Sequence, residues 1–225
     1  MERESRIRGL EIVYEDEFII VVNKAAGLLT ISTGDAGEVT AYSLLTDYVR
    51  RRGRRQRIFI VHRLDRDTSG LLVFAKTERV KRDLQDGWNE NVIERTYIAV
   101  TAGCPPRESG TITSWLTENP KSKMVYSCRY DNGGRKAVTH FKLIRQGNPY
   151  CLVEFDLETG RKNQIRVHAA AGGFPVAGDR KYGQGACPAG RLCLHARSLS
   201  FRHPVTAEVL RFSTPTPKVF KKMID

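Results

Sequence analysis

The segment His62-Arg63-Leu64-Asp65-Arg66-Asp67-Thr68-Ser69-Gly70 places a carboxylate, Asp65, between arginines in a polar turn. One apolar run leads in, from Ile58 to Val61, and another leads out, from Leu71 to Ala75. Short apolar runs bounded by turn residues read as buried strands. A rigid scaffold presents reactive side chains on such turns. The competing reading is a hairpin loop whose Asp and Arg pair on the surface, and spacing alone does not separate the two.

The surroundings of Asp65 are basic. The chain has 225 residues with 37 Lys and Arg against 25 Asp and Glu, a formal charge of +12. An excess of that size predicts a polyanionic partner, most commonly nucleic acid. The charge is also clustered. Six arginines lie between Arg50 and Arg57, including Arg54 and Arg55, immediately before the Asp65 segment. Arg161, Lys162, Arg166, Arg180 and Lys181 form a second set far away in sequence. Two such sets read as the walls of a groove that contacts phosphates, which gives affinity without sequence specificity.

The elements that must position these groups follow from patterning. Strands are expected from Ile12 to Tyr14 and Phe18 to Asn23, on either side of Asp65, and from Arg95 to Thr101. Further strands are expected from Ala137 to Ile144, Cys151 to Leu157, Leu192 to Ala196, Leu199 to Phe201 and Val209 to Phe212. Helical spacing covers Val39 to Arg52 and Glu78 to Asn91, the latter with Val80, Leu84 and Trp88 on one face. A third helix is expected to open at Thr159 or Gly160 and to end at Gly172-Gly173, with Arg161 and Lys162 in its first turn against the macrodipole. Residues 103–135 read as irregular, with room for a short hairpin. Strands joined by turns, with few helices, predict an α+β fold built on a largely antiparallel mixed sheet with flanking helices. The whole chain, 1–225, reads as a single domain without an appended N-terminal RNA-binding domain.

Other function classes are weakly supported. No apolar run approaches the roughly 20 residues that cross a bilayer, and the charged N-terminus lacks a secretory apolar segment; a cytoplasmic protein is expected. Five widely spread cysteines, without a Cys-x-x-Cys pair, are expected to be reduced. Cys187, Cys193 and His195 do not have the spacing of zinc fingers, so no metal is expected. No glycine motif for a nucleotide cofactor is present, and none is expected.

With these segments placed, the chain resembles the RluA-type family of RNA pseudouridine synthases. His62-Arg63-Leu64-Asp65-x-x-Thr68-Ser69-Gly70 resembles that family's catalytic signature. Val21-Val22-Asn23-Lys24-x-Ala26-Gly27 resembles its lysine–glycine motif, and Arg95-x-Tyr97-x-Ala99 its arginine–tyrosine strand. Leu157-Glu158-Thr159-Gly160-Arg161-Lys162-x-Gln164-Ile165-Arg166-Val167-His168 resembles its third motif, which Val176-x-Gly178-Asp179-x-x-Tyr182-Gly183 extends. Two positions depart from the pattern: Ala25 stands where proline is usual, and Asn163 where histidine is usual.

The resemblance implies the pseudouridine synthase catalytic fold with an active-site cleft across the sheet. It implies an isomerase that breaks the bond from N1 of uracil to C1′ of ribose, turns the base and rejoins it through C5, in ribosomal or transfer RNA. Asp65 becomes the catalytic residue, Arg166 the cation that favours its ionised form, and Tyr97 the ring on which the base stacks. Ile165 supplies an apolar floor, and Arg63 fills the gap left by an extruded uridine or pairs with a phosphate. Lys24, Arg161, Lys162, Gln164, Arg54 and Arg55 are expected to contact RNA, Lys24 alternatively bracing the pocket. His62 is expected to be a structural hydrogen-bonding residue. Neither a cofactor, a metal nor an obligate protein partner is implied, and a monomer is expected. One carboxylate suits a reaction that retains the base and excludes water, whereas hydrolytic glycosidases usually employ two. Two rivals remain: an RNA-binding module without catalysis, and a metal-dependent nuclease using Asp65 and Asp67. A pure binder would need only the cations, and a nuclease would need further clustered acids.

Overall fold

The computed structural model describes residues 6–34, 37–53, 56–88, 92–183 and 185–225. The described residues gather into two compact units. One contains the chain up to Glu94 together with Ala196–Thr214, and the other contains Arg95–His195 and Pro215–Asp225. Arg54 and Arg55, and residues 89–91 at the end of the range expected to be helical, lie outside the described residues.

In the first unit the strands are β1 (Arg6–Ile7), β2 (Leu10–Glu15), β3 (Ile19–Lys24), β4 (Phe59–Ile60) and β5 (Ser69–Ala75), with β12 (Val209–Ser213) near the C-terminus. β2 pairs antiparallel with β3, placing Leu10 opposite Lys24, and β3 pairs antiparallel with β5, placing Lys24 opposite Gly70. Next to β5 runs β11 (Leu194–Arg202), which carries β12. All seven residues of β5 are buried, as a central strand covered on both faces requires. Ile19, Val21, Leu71 and Val73 form one apolar cluster with Val80, Leu84 and Phe201.

Two helices lie among the described residues of this unit. Thr40 opens α1 (Ala41–Arg52) with a capping box: its hydroxyl accepts from the Ser43 N–H at 3.0 Å, and its own N–H donates to Ser43 Oγ at 2.9 Å. Arg50, Arg51 and Arg52 fill the last turn, where the helix dipole favours cations. α2 (Glu78–Asp86) is opened by Thr77 and ends at Gly87.

In the second unit β6 (Val92–Ala102) pairs with β10 (Tyr150–Leu157), β10 with β9 (Arg135–Arg145), β9 with β7 (Ser109–Glu118), and β7 with β8 (Val125–Cys128), all antiparallel. The unit is an antiparallel sheet with strand order β6-β10-β9-β7-β8. The hairpin expected within residues 103–135 is therefore β7 and β8. The core holds Ile98, Val100, Val153, Phe155, Phe174, Phe220 and Ile224. Both units together bear out the α+β fold with a mainly antiparallel sheet.

Four expectations are corrected. The third helix, α3 (Gln164–Ala171), starts at Gln164, because Asn163 has φ 55° and lies in the left-handed region. Arg161 and Lys162 therefore precede the helix and do not oppose its dipole. The two short strands expected between Leu192 and Phe201 are one continuous strand, β11. A C-terminal helix, α4 (Lys218–Ile224), has no counterpart among the sequence expectations; it buries Phe220 and Ile224, one turn apart. Cys104 and Cys151 are joined by a disulfide, while Cys128, Cys187 and Cys193 are thiols.

Candidate active site

In the first unit the Asp65 turn is held by its backbone. Thr30 Oγ1 donates to the Leu64 carbonyl at 2.9 Å and accepts from the Leu64 N–H at 3.2 Å. On the other side of Asp65, the Arg66 carbonyl accepts from the Gly27 N–H at 2.9 Å and from Lys24 Nζ at 3.1 Å. The Arg66 guanidinium returns a bond from Nε to the Gly27 carbonyl at 3.3 Å. The residues immediately before and after Asp65 are thus fixed by the 24–30 turn, and Asp65 itself is half-buried between them. Arg63 and Asp67 are exposed, and the Thr68 N–H closes the turn on the Asp65 carbonyl at 3.2 Å.

This arrangement corrects the reading of Lys24 as an RNA contact. Lys24 is fully buried, and its ammonium donates to the carbonyls of Ala25, Leu28 and Arg66 at 3.0, 2.7 and 3.1 Å. It is the internal brace of the turn, the other role foreseen for it. Ala25, at the position where proline is usual, donates its N–H to the Gly9 carbonyl at 2.8 Å, a bond that proline cannot make.

Two further residues fix the exit of the turn. Gly70 has φ 114°, and a Cβ there would stand 2.2 Å from the Ala196 carbonyl oxygen, so only glycine fits. His62 accepts the Val73 N–H at Nε2 (3.1 Å) and lies 4.6 Å from the Trp88 ring, the structural role expected of it. Because Nε2 accepts, the ring proton of neutral His62 sits on Nδ1.

In the second unit the third motif is built around Gln164. Its amide donates to the Val138 carbonyl at 2.9 Å and to Thr139 Oγ1 at 2.8 Å. Its Oε1 accepts from the Thr159 hydroxyl and the Arg161 N–H, both at 2.9 Å. Gln164 is 2% exposed, so it folds the loop and does not contact RNA, which corrects that expectation. Arg95 anchors the same loop from β6, donating from Nη2 to the carbonyls of Leu157 and Glu158, both at 3.0 Å. A Cβ on Gly160 would lie 2.9 Å from Arg95 Nη1, the end of that side chain. The arginine of the arginine–tyrosine strand therefore positions the start of the third motif.

Arg166 extends from the first turn of α3 and is mostly buried, its side chain 13% exposed. Nε donates to Asp179 Oδ2 at 2.7 Å, Nη2 to Asp179 Oδ1 at 2.8 Å, and Nη1 to Asn163 Oδ1 at 3.2 Å. Burial pushes the Asp179 carboxyl up, but the Arg166 guanidinium and the N–H groups of Lys181 and Tyr182 more than offset this and hold it below its ordinary value. Ile165 is buried within the apolar cluster, and Tyr97 is half-buried against it, opposite Phe155 in the register. Arg161 donates from Nε to the Lys136 carbonyl at 3.1 Å, and Lys162 pairs with Glu118 at the surface. In the basic run, Arg52 bonds Glu15 at 3.1 Å and lies over the Tyr48 ring, whereas Arg50 and Arg51 are exposed.

Thr30, Asn163 and Asp179 received no role from the sequence. Asp179 lies inside a segment with motif character, which was the available signal. Thr30 had none, because its task exists only once the turn meets Leu64. Among the described residues no group of three or more His, Cys, Asp or Glu side chains could hold a metal ion.

Comparison with known proteins agrees with this geometry. The sequence profile of the RNA pseudouridylate synthase family matches residues 18–171, which contain Lys24, Thr30, Asp65, Tyr97, Gln164 and Arg166 but not Asp179. An uncharacterised RNA pseudouridine synthase of Bacillus subtilis, YjbO, is 35% identical over 215 residues, covering 96% of this chain and 75% of the relative. The ribosomal large subunit pseudouridine synthase D of Neisseria meningitidis is 37% identical over 221 residues, covering 93% of this chain and 59% of the relative. The solved structure of human RNA pseudouridylate synthase domain containing 1 superposes with a TM-score of 0.72 at 26% identity, covering 95% of this chain and 85% of that one. The chain belongs to the RNA pseudouridylate synthase family. It is an isomerase that converts uridine to pseudouridine in RNA.

Proposed function

We propose that Asp65 is the catalytic carboxylate and that the substrate is ribosomal RNA of the large subunit. The observation that carries the first part is the two-sided clamp on the turn. Leu64 and Arg66 are both fixed through their backbones, so the position of the carboxylate between them is preorganised before RNA arrives, as catalysis by positioning requires. Tyr97 is the stacking ring and Arg166 the cation that the reaction requires. Arg63 serves the extruded site, Ile165 its apolar lining, and Arg161 and Lys162 the backbone phosphates. The choice of ribosomal RNA draws on relatives named for the large ribosomal subunit. Cytoplasmic location and action as a monomer belong to the same reading.

Two measurements test it. Asp65→Asn is expected to abolish pseudouridine formation, with EDTA present or absent, while RNA binding persists; full activity in this variant sinks the assignment. Mapping pseudouridines in total RNA from cells with and without the gene is expected to show loss at sites in large-subunit ribosomal RNA. Loss confined to transfer RNA would reject the substrate while leaving Asp65 in place.

A further inference from the structure

In the second unit, the corner between the 185–193 loop and α4 brings three sulfur atoms together. Cys193 is fully buried, and its Sγ lies 3.9 Å from Cys187 Sγ and 3.8 Å from Met223 Sδ. Cys187 and Met223 are partly exposed, so the group meets solvent through two of its members. Each sulfur sits on an anchored piece of backbone. The Cys193 N–H donates to the Ala177 carbonyl at 2.9 Å, and the Cys193 carbonyl accepts the Val100 N–H at 3.0 Å. The Cys187 carbonyl accepts the Gly190 N–H at 3.0 Å. That turn brings the Arg191 carbonyl 3.3 Å from Cys187 Sγ and 3.6 Å from Cys193 Sγ. Met223 is carried by α4 between the buried Phe220 and Ile224.

We propose that Cys187, Cys193 and Met223 form a binding site for a soft monovalent metal ion, copper(I). A metal–sulfur bond of about 2.3 Å places sulfurs on one ion about 3.8 Å apart in tetrahedral geometry and about 4.0 Å apart in trigonal geometry. Both separations found here fall in that range. The donor set decides the ion. Thiolates with a thioether are a soft set, which copper(I) prefers. Structural zinc takes four ligands from Cys, His and carboxylate, and among the described residues no His, Asp or Glu completes such a set with the two thiols. His195, close to these cysteines in sequence, is therefore not a member, whereas Met223 is brought in by α4. Binding replaces two S–H bonds with two Cu–S bonds, and both protons leave to solvent. The thioether binds without losing a proton, and no electron is transferred. The bound group carries one net negative charge, and the Arg191 guanidinium, over the Phe220 ring at 5.4 Å from its centroid, supplies a cation in the same corner. All three ligands lie outside residues 18–171, so the family match neither requires nor supplies this site. The competing account is that the sulfurs only fill space, as Cys and Met commonly do in cores. Space-filling is indifferent to Met223→Leu, and metal binding is not.

The test adds copper(I), as its acetonitrile complex, to the full chain kept without oxygen. Affinity is read by competition with bicinchoninate, and the ligand shell by copper X-ray absorption. The unaltered protein is expected to hold one copper per chain against the chelator, with three sulfur neighbours at about 2.3 Å. Cys187→Ser is expected to lower affinity at least about 100-fold, since losing a ligand costs no less than losing an outer-shell partner. Met223→Leu keeps the volume of the side chain. It is expected to cost about 10-fold, the low end of the same range, with one sulfur neighbour fewer. Failure of the unaltered protein to compete with the chelator overturns the site. So does unchanged affinity in Cys187→Ser, or unchanged affinity and sulfur count in Met223→Leu. Cys128→Ser controls for the remaining thiol: loss of copper there, with Cys187→Ser unaffected, places the ion elsewhere and also overturns the proposal. Both altered ligands are partly exposed, so both variants are expected to fold; if Cys187→Ser does not, Met223→Leu decides alone.

Discussion

At the residue scale, the Asp65 turn depends on side chains buried beneath it. Lys24 is the clearest case, a cation turned inward to three carbonyls, one of which belongs to the residue after Asp65. Lys24→Met keeps most of the volume and removes the donors. Hydrogen bonds from a charged group contribute about 1.5–3 kcal/mol, and unsatisfied buried carbonyls cost a comparable amount. We expect unfolding free energy to fall by about 2–3 kcal/mol in urea titrations, with turnover falling more than RNA affinity. A loss confined to RNA affinity would instead return Lys24 to the surface role read from the sequence. That role was the natural reading, since a lysine beside a glycine turn carries no mark of burial. Asp65 was legible because its polar turn interrupts two apolar runs. Thr30 was not, because 34 residues separate it from the backbone it holds.

At the element scale, the least legible features are those decided by one backbone angle or by packing elsewhere in the chain. The helical pattern of the third motif begins at Thr159, but the left-handed Asn163 delays α3 to Gln164. Arg197 and Ser198 interrupt the apolar pattern of β11 without interrupting the strand. α4 is seven residues long and declares itself only through Phe220 and Ile224. Once formed, α3 carries a pH-sensitive contact into the sheet. His168 is fully buried, with its ring nitrogens at 2.8 and 2.9 Å from the hydroxyls of Ser114 and Thr139. Burial pushes its pKa from 6.5 down to about 4. Folding therefore favours the neutral ring. Its contribution is complete above pH 6.5 and is lost progressively as pH falls from 6.5 toward 4, by about 3 kcal/mol in all. Urea midpoints measured between pH 7 and 4.5 should fall more steeply for the unaltered protein than for His168→Gln. Parallel curves would show that His168 is not the group responsible.

At the scale of the whole molecule, charge is the property that the sequence conveyed most directly, and the fold refines it. The +12 excess is not uniformly available. Lys24 is internal, Arg52 is committed to Glu15, and Lys162 to Glu118. Arg50 and Arg51 remain exposed at the end of α1, where the helix dipole disfavours no cation. Each phosphate contact to single-stranded RNA adds about 0.7 to the slope of log affinity against log salt. Replacing Arg50 and Arg51 together with alanine should lower that slope by about 1–1.5, read from filter binding at several salt concentrations. An unchanged slope would place the RNA path away from α1.

The bond from the Ala25 N–H to the Gly9 carbonyl bears on modularity. It stitches the corner between β1 and β2 to the turn that braces Asp65, through an amide that the proline usual in the family does not possess. Residues 24–30 are consequently not a portable cassette in this chain. A graft of the corresponding turn from a proline-bearing relative would arrive without the stitch and leave the Gly9 carbonyl without that donor. The smallest piece that can be exchanged as a unit runs from Gly9 through the turn to Thr30, a boundary that the family motif alone, beginning at Val21, would have drawn twelve residues too late.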